Sequence, residues 1–213
     1  MSRKKSIALA ITLAIVAAIA GMLLSRVLMQ RLQGPDTVAL VTGTLLEPPR
    51  LLPDFALVNH ENQVFMNESL DGRWTFLFFG FTHCPDVCPT TLRMLAEVTR
   101  SLSDLQPAAR PRVALVSVDP KRDTPEQLSK YVRFFDPDFI GVTGSEDALN
   151  EFTRQIGVPV AITPTDGEGY TVDHSAAIFL IDPSGSIRAL FSPPHSPATI
   201  AADYRRVLKS TGQ

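Results

Sequence analysis

The chain of 213 residues is 45% hydrophobic and 20% charged and holds only two cysteines, which suits one fair-sized core with an appendage and argues against two domains. Residues 1–26 carry four of the 20 basic side chains, Arg3, Lys4, Lys5 and Arg26, and none of the 22 acidic ones, so the remainder has a net charge of −6. That balance argues against nucleic-acid binding.

The appendage comes first. Arg3, Lys4 and Lys5 precede an uncharged, mostly apolar run of 18 residues from Ile7 to Leu24, just enough to span a bilayer. A cleaved signal peptide has a shorter apolar region, roughly 7–15 residues, so an uncleaved anchor is favoured, with cleavage within VAAIAGM as the alternative. We expect a basic cytoplasmic N-terminus at 1–6, a single transmembrane anchor at 7–25, a tether at 26–52 and a folded domain at 53–213. The basic cluster orients the N-terminus to the cytoplasm. No Arg- and Ser-rich amphipathic presequence is present, so the simplest compartment is a bacterial inner membrane with the domain in the periplasm. Idle paired thiols would oxidise there.

Residues 27–53 hold Gly34, Pro35, Gly43, Pro48, Pro49 and Pro53 without a sustained period, hence the tether. From Asp54 onward, short strands are predicted at FALVN and QVF and a buried strand at WTFLFFGF. A helix follows through TTLRMLAEVTRSL, its apolar positions Leu92, Leu95, Ala96, Val98 and Leu102. Next come the buried strand RVALVSVD and a helix opened by TPEQ. There Thr124 suits the N-cap, Pro125 the first helical position and Gln127 the capping box. The rest reads as strand FIGVTG, helix SEDALNEFTRQIG between Ser145 and Gly157, hairpin AAIFLID-PSGS-IRALF and a last helix SPATIAADYRRVLK. This order predicts an α/β domain with a mixed central sheet and helices on both faces. It is similar to thioredoxin-like folds, with extra N-terminal strands.

Both cysteines lie in FTHCPDVCPTTL, on the turn between the first buried strand and its helix, where reactive groups gather in such sheets. Pro89 lacks an N–H and clashes with a preceding helical turn, so the helix is expected to start at Pro89, with Cys88 near its N-cap. A thiol there feels the positive end of the helix dipole, which lowers its pKa and favours the thiolate. Three chemistries compete for the pair. A disulfide suits an exported domain, although so small a ring restricts the unfolded chain little. Structural zinc wants four protein ligands, and only these cysteines and four histidines exist. Copper fits the donors better, because soft thiolates select Cu(I), and an added imidazole gives a set that also holds Cu(II).

Among the histidines, His83 adjoins Cys84, and neighbouring side chains on an extended segment point to opposite faces. His60 in NHEN and His195 in PPHSP read as solvated. His174 stands in TVDHSAAIFLID, where the chain enters the hairpin, and in thioredoxin-like folds this segment packs against the cysteine turn. A buried or capped histidine remains the alternative to a ligand.

The segments FLFFGFTHCPDVCPTTL, VSVDPKRDTPEQLSKYV and VDHSAAIFLIDPSG, within roughly Pro53 to Leu208, resemble the Sco/SenC family of membrane-anchored copper proteins. The resemblance implies copper, as Cu(I), Cu(II) or both, held by Cys84, Cys88 and His174. It implies a metallochaperone for the dinuclear copper centre of cytochrome c oxidase subunit II, supplied by a copper donor protein. An acidic motif of the family matches Asp119 and Asp123, implying a role beside the metal or in partner contact. For Asp123 the alternative is helix initiation beside Thr124, and Asp173 is a candidate to orient His174.

Thioredoxins place two residues between their cysteines and a cis-proline before the facing strand. Here three residues intervene and TVDHSA has no proline, which shifts the expectation from disulfide exchange towards metal capture. The PxxxTxxC pattern of peroxiredoxins is absent before Cys84. A thiol-disulfide reductase using Cys84 and Cys88 as catalytic residues, keeping copper-acceptor cysteines reduced, is the rival function. A redox or copper sensor is a third.

Overall fold

The structure, a computed structural model, describes residues 13–26, 39–165 and 169–212. It divides at Val38/Ala39 into two units.

In the first unit, residues 13–26 form helix α1. This covers the second part of the predicted anchor and runs one residue beyond it, whereas residues 7–12, like the basic N-terminus at 1–6, lie outside the described residues. Among the described residues no helix is long and apolar enough to cross a membrane.

The second unit is built on an eight-stranded sheet. Its strands are β1 (Gly43–Leu51), β2 (Ala56–Asn59), β3 (Val64–Met66), β4 (Thr75–Gly80), β5 (Arg112–Ser117), β6 (Ile140–Thr143), β9 (Ile178–Ile181) and β10 (Ser186–Phe191). The spatial order is β1-β10-β9-β4-β5-β6-β2-β3. β4, β5 and β6 run parallel, and β9 joins β4 antiparallel, so the sheet is mixed. A separate two-stranded ladder pairs β7 (Val160–Pro164) with β8 (Tyr170–His174). The helices are α2 (Val87–Ser101), α3 (Pro125–Phe135), α4 (Glu146–Ile156) and α5 (Pro197–Ser210). This is the expected thioredoxin-like arrangement with additional N-terminal strands.

The pleat of β4 sorts the layers. Phe76 meets the ring of Tyr204 on α5 at 5.6 Å, while Phe79, on the opposite face, meets Phe152 on α4 at 5.7 Å. Successive strand side chains alternate between faces, so helices cover both sides, and every β4 residue is buried. That is why WTFLFFGF reads as an unbroken apolar run rather than an alternating one.

Three of the predicted helix signals hold. Thr124 Oγ1 accepts the Gln127 N–H at 3.2 Å, Ser145 Oγ accepts that of Ala148 at 3.2 Å, and Gly157 ends α4 in the left-handed region at φ 83°. Two predictions fail. Residues 43–51, assigned to the tether, form β1 against β10. The prolines that suggested a tether, Pro48 and Pro49, fall inside its register shift between Leu45 and Arg50. β1 is an edge strand, where a missing N–H leaves no ladder bond unmade. The β7–β8 hairpin was not predicted at all, although four of the five residues of β7 are solvent-exposed.

β1 is also tied to α5 by a buried carboxylate. Asp203 accepts the N–H groups of Val41 at 2.6 Å, Thr42 at 2.9 Å and Gly43 at 3.1 Å. Asp203→Ala would orphan three backbone donors, and we expect a loss of about 2–3 kcal/mol. Urea unfolding checks this; an unchanged midpoint would show that water replaces the carboxylate.

Candidate metal centre

The parallel strands β4 and β5 end beside one another, and the chain leaving β4 makes a tight turn before α2. Cys84 N–H closes that turn on the carbonyl of Phe81 at 3.3 Å. α2 starts at Val87, two residues earlier than predicted, so Cys88 and Pro89 both lie in its first turn. Pro89 is tolerated because first-turn N–H groups have no intrahelical acceptor. The Cys88 N–H points instead at Cys84 Sγ, 3.5 Å away. Cys88 is buried and packs over Gly80, where an added Cβ would stand 2.9 Å from its sulfur.

His174 closes the site from the last residue of β8. Its Nε2 lies 3.5 Å from Cys88 Sγ, and the sulfur and ring-nitrogen atoms of Cys84, Cys88 and His174 all fall within 4.8 Å of one another. Three donors spread trigonally about one ion at about 2.0–2.3 Å stand roughly 3.5–4.0 Å apart, so the cluster closes on a single ion once its widest separation tightens by up to about 1 Å. His174 Nδ1 is 3.0 Å from the Ser175 carbonyl. A carbonyl only accepts, so this contact places the proton on Nδ1 and leaves Nε2 free to ligate. Burial lowers the His174 pKa against smaller opposing effects from Ser175 and Asp173, keeping the ring neutral at neutral pH. Phe78 and Phe81 flank the imidazole edge-on at 6.1 and 5.8 Å.

The sequence expectation for the Cys88 thiol is overturned. The Cys88 thiol is raised rather than lowered, chiefly by burial. Desolvation in the core outweighs the helix terminus, which is worth less than about 2 kcal/mol.

The acidic residues separate into three roles. Asp123 is wholly buried and accepts from Thr82 N at 3.0 Å, Thr82 Oγ1 at 2.6 Å and Ser117 Oγ at 2.7 Å. It fastens the cysteine turn to the end of β5 and is structural. Asp119, also buried, binds Arg122 Nε and accepts from the Tyr170 hydroxyl at 2.7 Å. Asp173 does not reach His174. Tyr170, Val172 and His174 share the inner face of β8 while Asp173 points outward, 3.5 Å from Thr163 Oγ1. Period-two alternation already forbids the contact.

His60 and His195 bind backbone rather than remaining merely solvated. His60 Nδ1 accepts from Gly141 N at 2.9 Å, and His195 Nε2 lies 2.8 Å from the Ala176 carbonyl. His83 is half-exposed beside Thr82 and Asp123. Sequence reasoning missed Arg122, Tyr170, Thr82 and Ser117, which surround the site. It also missed Tyr131, whose buried hydroxyl has no hydrogen-bond partner among the described residues and whose pKa is raised by burial and by the nearby cysteines. Only the family motif around Asp119 gave any signal for these residues.

A family model described as SCO1/SenC matches residues 44–209. A protein of Stutzerimonas stutzeri named for copper binding is 42% identical over 70% of this chain and 73% of its own length. The bovine mitochondrial protein SCO2 homolog is 38% identical over 72% of this chain, which spans only 58% of that relative. The solved structure of Bradyrhizobium japonicum ScoI with copper bound superposes with a TM-score of 0.67 at 35% identity, covering 74% of this chain and 99% of that one.

Proposed function

The chain belongs to the SCO1/SenC family, and on that premise we propose that it is a copper metallochaperone that carries one ion on Cys84, Cys88 and His174. The observation that carries this reading is the convergence of two thiols and an unprotonated imidazole nitrogen within 4.8 Å. Two soft sulfurs select Cu(I), and the nitrogen donor suits the same pocket to Cu(II). The copper-bound Bradyrhizobium relative supports the cargo. The delivery target is the dinuclear centre of cytochrome c oxidase subunit II, with a donor protein upstream, as the family resemblance implies. Transfer is ligand exchange, in which an acceptor thiolate enters as one of the three donors leaves.

The domain works outside a bacterial inner membrane, tethered by the apolar segment at 7–25. The support for this is the basic cluster at 3–5 ahead of the apolar run. The remaining tether is 26–38, because Val41 and Thr42 are bound to Asp203, the folded unit starts at Ala39 and 43–51 join the sheet.

A thiol-disulfide reductase is the rival use of the same cysteines. The imidazole of His174, 3.5 Å from Cys88 Sγ, favours the chaperone, since disulfide exchange needs only the two thiols.

The test is competition of the reduced full chain with a Cu(I) chelator across pH. The sign follows from the protons. Cys88 is held as a thiol in the apo protein, so its proton leaves when metal binds. Affinity should rise by at least about tenfold per pH unit near neutrality. His174→Ala should weaken binding while leaving exchange with a model disulfide unchanged. Indifference of copper affinity to His174, or to pH, would remove the three-donor site.

A further inference from the structure

The β7–β8 hairpin presents His174, yet it is not part of the main sheet. Among the described residues no backbone hydrogen bond joins either strand to β5 or to the cysteine turn. Apart from its chain connections at 157–159 and 175–177, the latter met by His195 Nε2 at 2.8 Å from the Ala176 carbonyl, its hold on the domain is left to side chains. Val172 is buried beneath it, and Val160 and Tyr170 pack against the core. These apolar contacts are non-directional and do not by themselves fix how far β8 slides along the surface.

One cluster does fix it. The Arg122 guanidinium carbon lies over the Tyr170 ring, 3.9 Å from its centroid, close enough for a cation–π contact. Arg122 Nη1 also donates to the Tyr170 carbonyl at 3.2 Å. Asp119 grips both partners, accepting from Arg122 Nε and from the Tyr170 hydroxyl. Asp119 is in turn anchored at the end of β5, where its N–H donates to Ser117 Oγ at 3.0 Å. Tyr170 is thus held at backbone, ring face and hydroxyl, on the same face of β8 as His174 and four residues before it. A strand is stiff over that length, about 13 Å, so fixing Tyr170 fixes where His174 falls.

We propose that Arg122, seated on Asp119, is a positioning residue that clamps Tyr170 and so sets His174 over Cys84 and Cys88. Released, the hairpin lifts its imidazole away and leaves a two-thiol site, so the clamp governs whether the third donor is present. Its metal consequence rests on the copper reading above; the clamp itself does not.

Two variants leave the buried Asp119 paired. Arg122→Lys keeps a cation but loses the planar stack and the forked donors, and Tyr170→Leu removes the ring and hydroxyl while sparing the Arg122–Asp119 pair. Hydrogen exchange on the metal-free full chain should show residues 170–174 exchanging at least about tenfold faster in both variants, with β4 and α2 unchanged. Exchange unchanged in both variants would overturn the proposal, whether or not the chain binds copper. In chelator competition Arg122→Lys should weaken Cu(I) binding about 10–100-fold, the usual cost of losing a residue that orients a ligand. In a His174→Ala background the same substitution should cost less than about threefold, because the two act through one contact. An equal loss in both backgrounds would show that Arg122 acts on the cysteines or on general stability, and the clamp would be wrong. Failure of the parent chain to bind copper would sink the chaperone reading and leave exchange to decide the clamp.

Discussion

Cys88→Ser is expected to abolish tight one-to-one copper binding, with the largest loss of any single substitution in the chain. Cys88 is the central donor: its sulfur is 3.5 Å from His174 Nε2, and its own N–H faces Cys84 Sγ. A serine hydroxyl is a harder donor with little affinity for Cu(I), and it would sit buried against Gly80 without a sulfur's tolerance for an apolar wall. Cys84 and His174 alone leave two donors on separate elements. We expect the affinity of the full chain, measured against a Cu(I) chelator, to fall by at least about a thousandfold, or about 4 kcal/mol. The fold should survive with unchanged circular dichroism but a lower urea midpoint, since a buried hydroxyl replaces a small hydrophobe at a cost of about 1–3 kcal/mol. Copper retained within about tenfold would mean that the ion is held elsewhere.

Asp123→Ala should produce the largest loss of stability. The carboxylate is wholly buried and satisfies the Thr82 backbone N–H, the Thr82 hydroxyl and the Ser117 hydroxyl. Removing it orphans those donors inside the domain, each worth about 1–3 kcal/mol when left unpaired. Some relaxation of the exposed side of the turn reduces the sum, and we expect about 3–5 kcal/mol. For a domain of this size that is roughly 6–20 °C in melting temperature, read by calorimetry. Asp123→Asn should recover only part of it, because its amide group adds two donors where three donors already converge. The damage should reach the metal as well. Thr82 stands two residues before Cys84, so loss of its anchor loosens the turn, and copper affinity should fall alongside stability. An Asp123→Ala protein that melts like the parent would show that Asp123 is not the link between β5 and the cysteine turn.

Local chemistry, acting within a few residues, was legible in the sequence alone. The unbroken apolar runs of β4 and β5, the Thr124 and Ser145 caps and the Gly157 stop depend on neighbours in the chain, and all appear where expected. The pairing of Cys84 and Cys88 across one turn is local too. Adding His174 to that pair relied on a family resemblance, because 86 residues separate it from Cys88 and no spacing rule bridges that distance.

The tertiary structure alone decided three further matters. It turned a proline-bearing segment into strand β1, because an edge position makes a missing N–H harmless. It reversed the expected direction of the Cys88 thiol, because burial is a property of packing and overrode the helix terminus that the sequence displayed. And it showed that Arg122, Asp119 and Tyr170 meet, side chains from two segments some 50 positions apart. Their contact depends on where the β7–β8 hairpin lies against the end of β5, which no local pattern encodes.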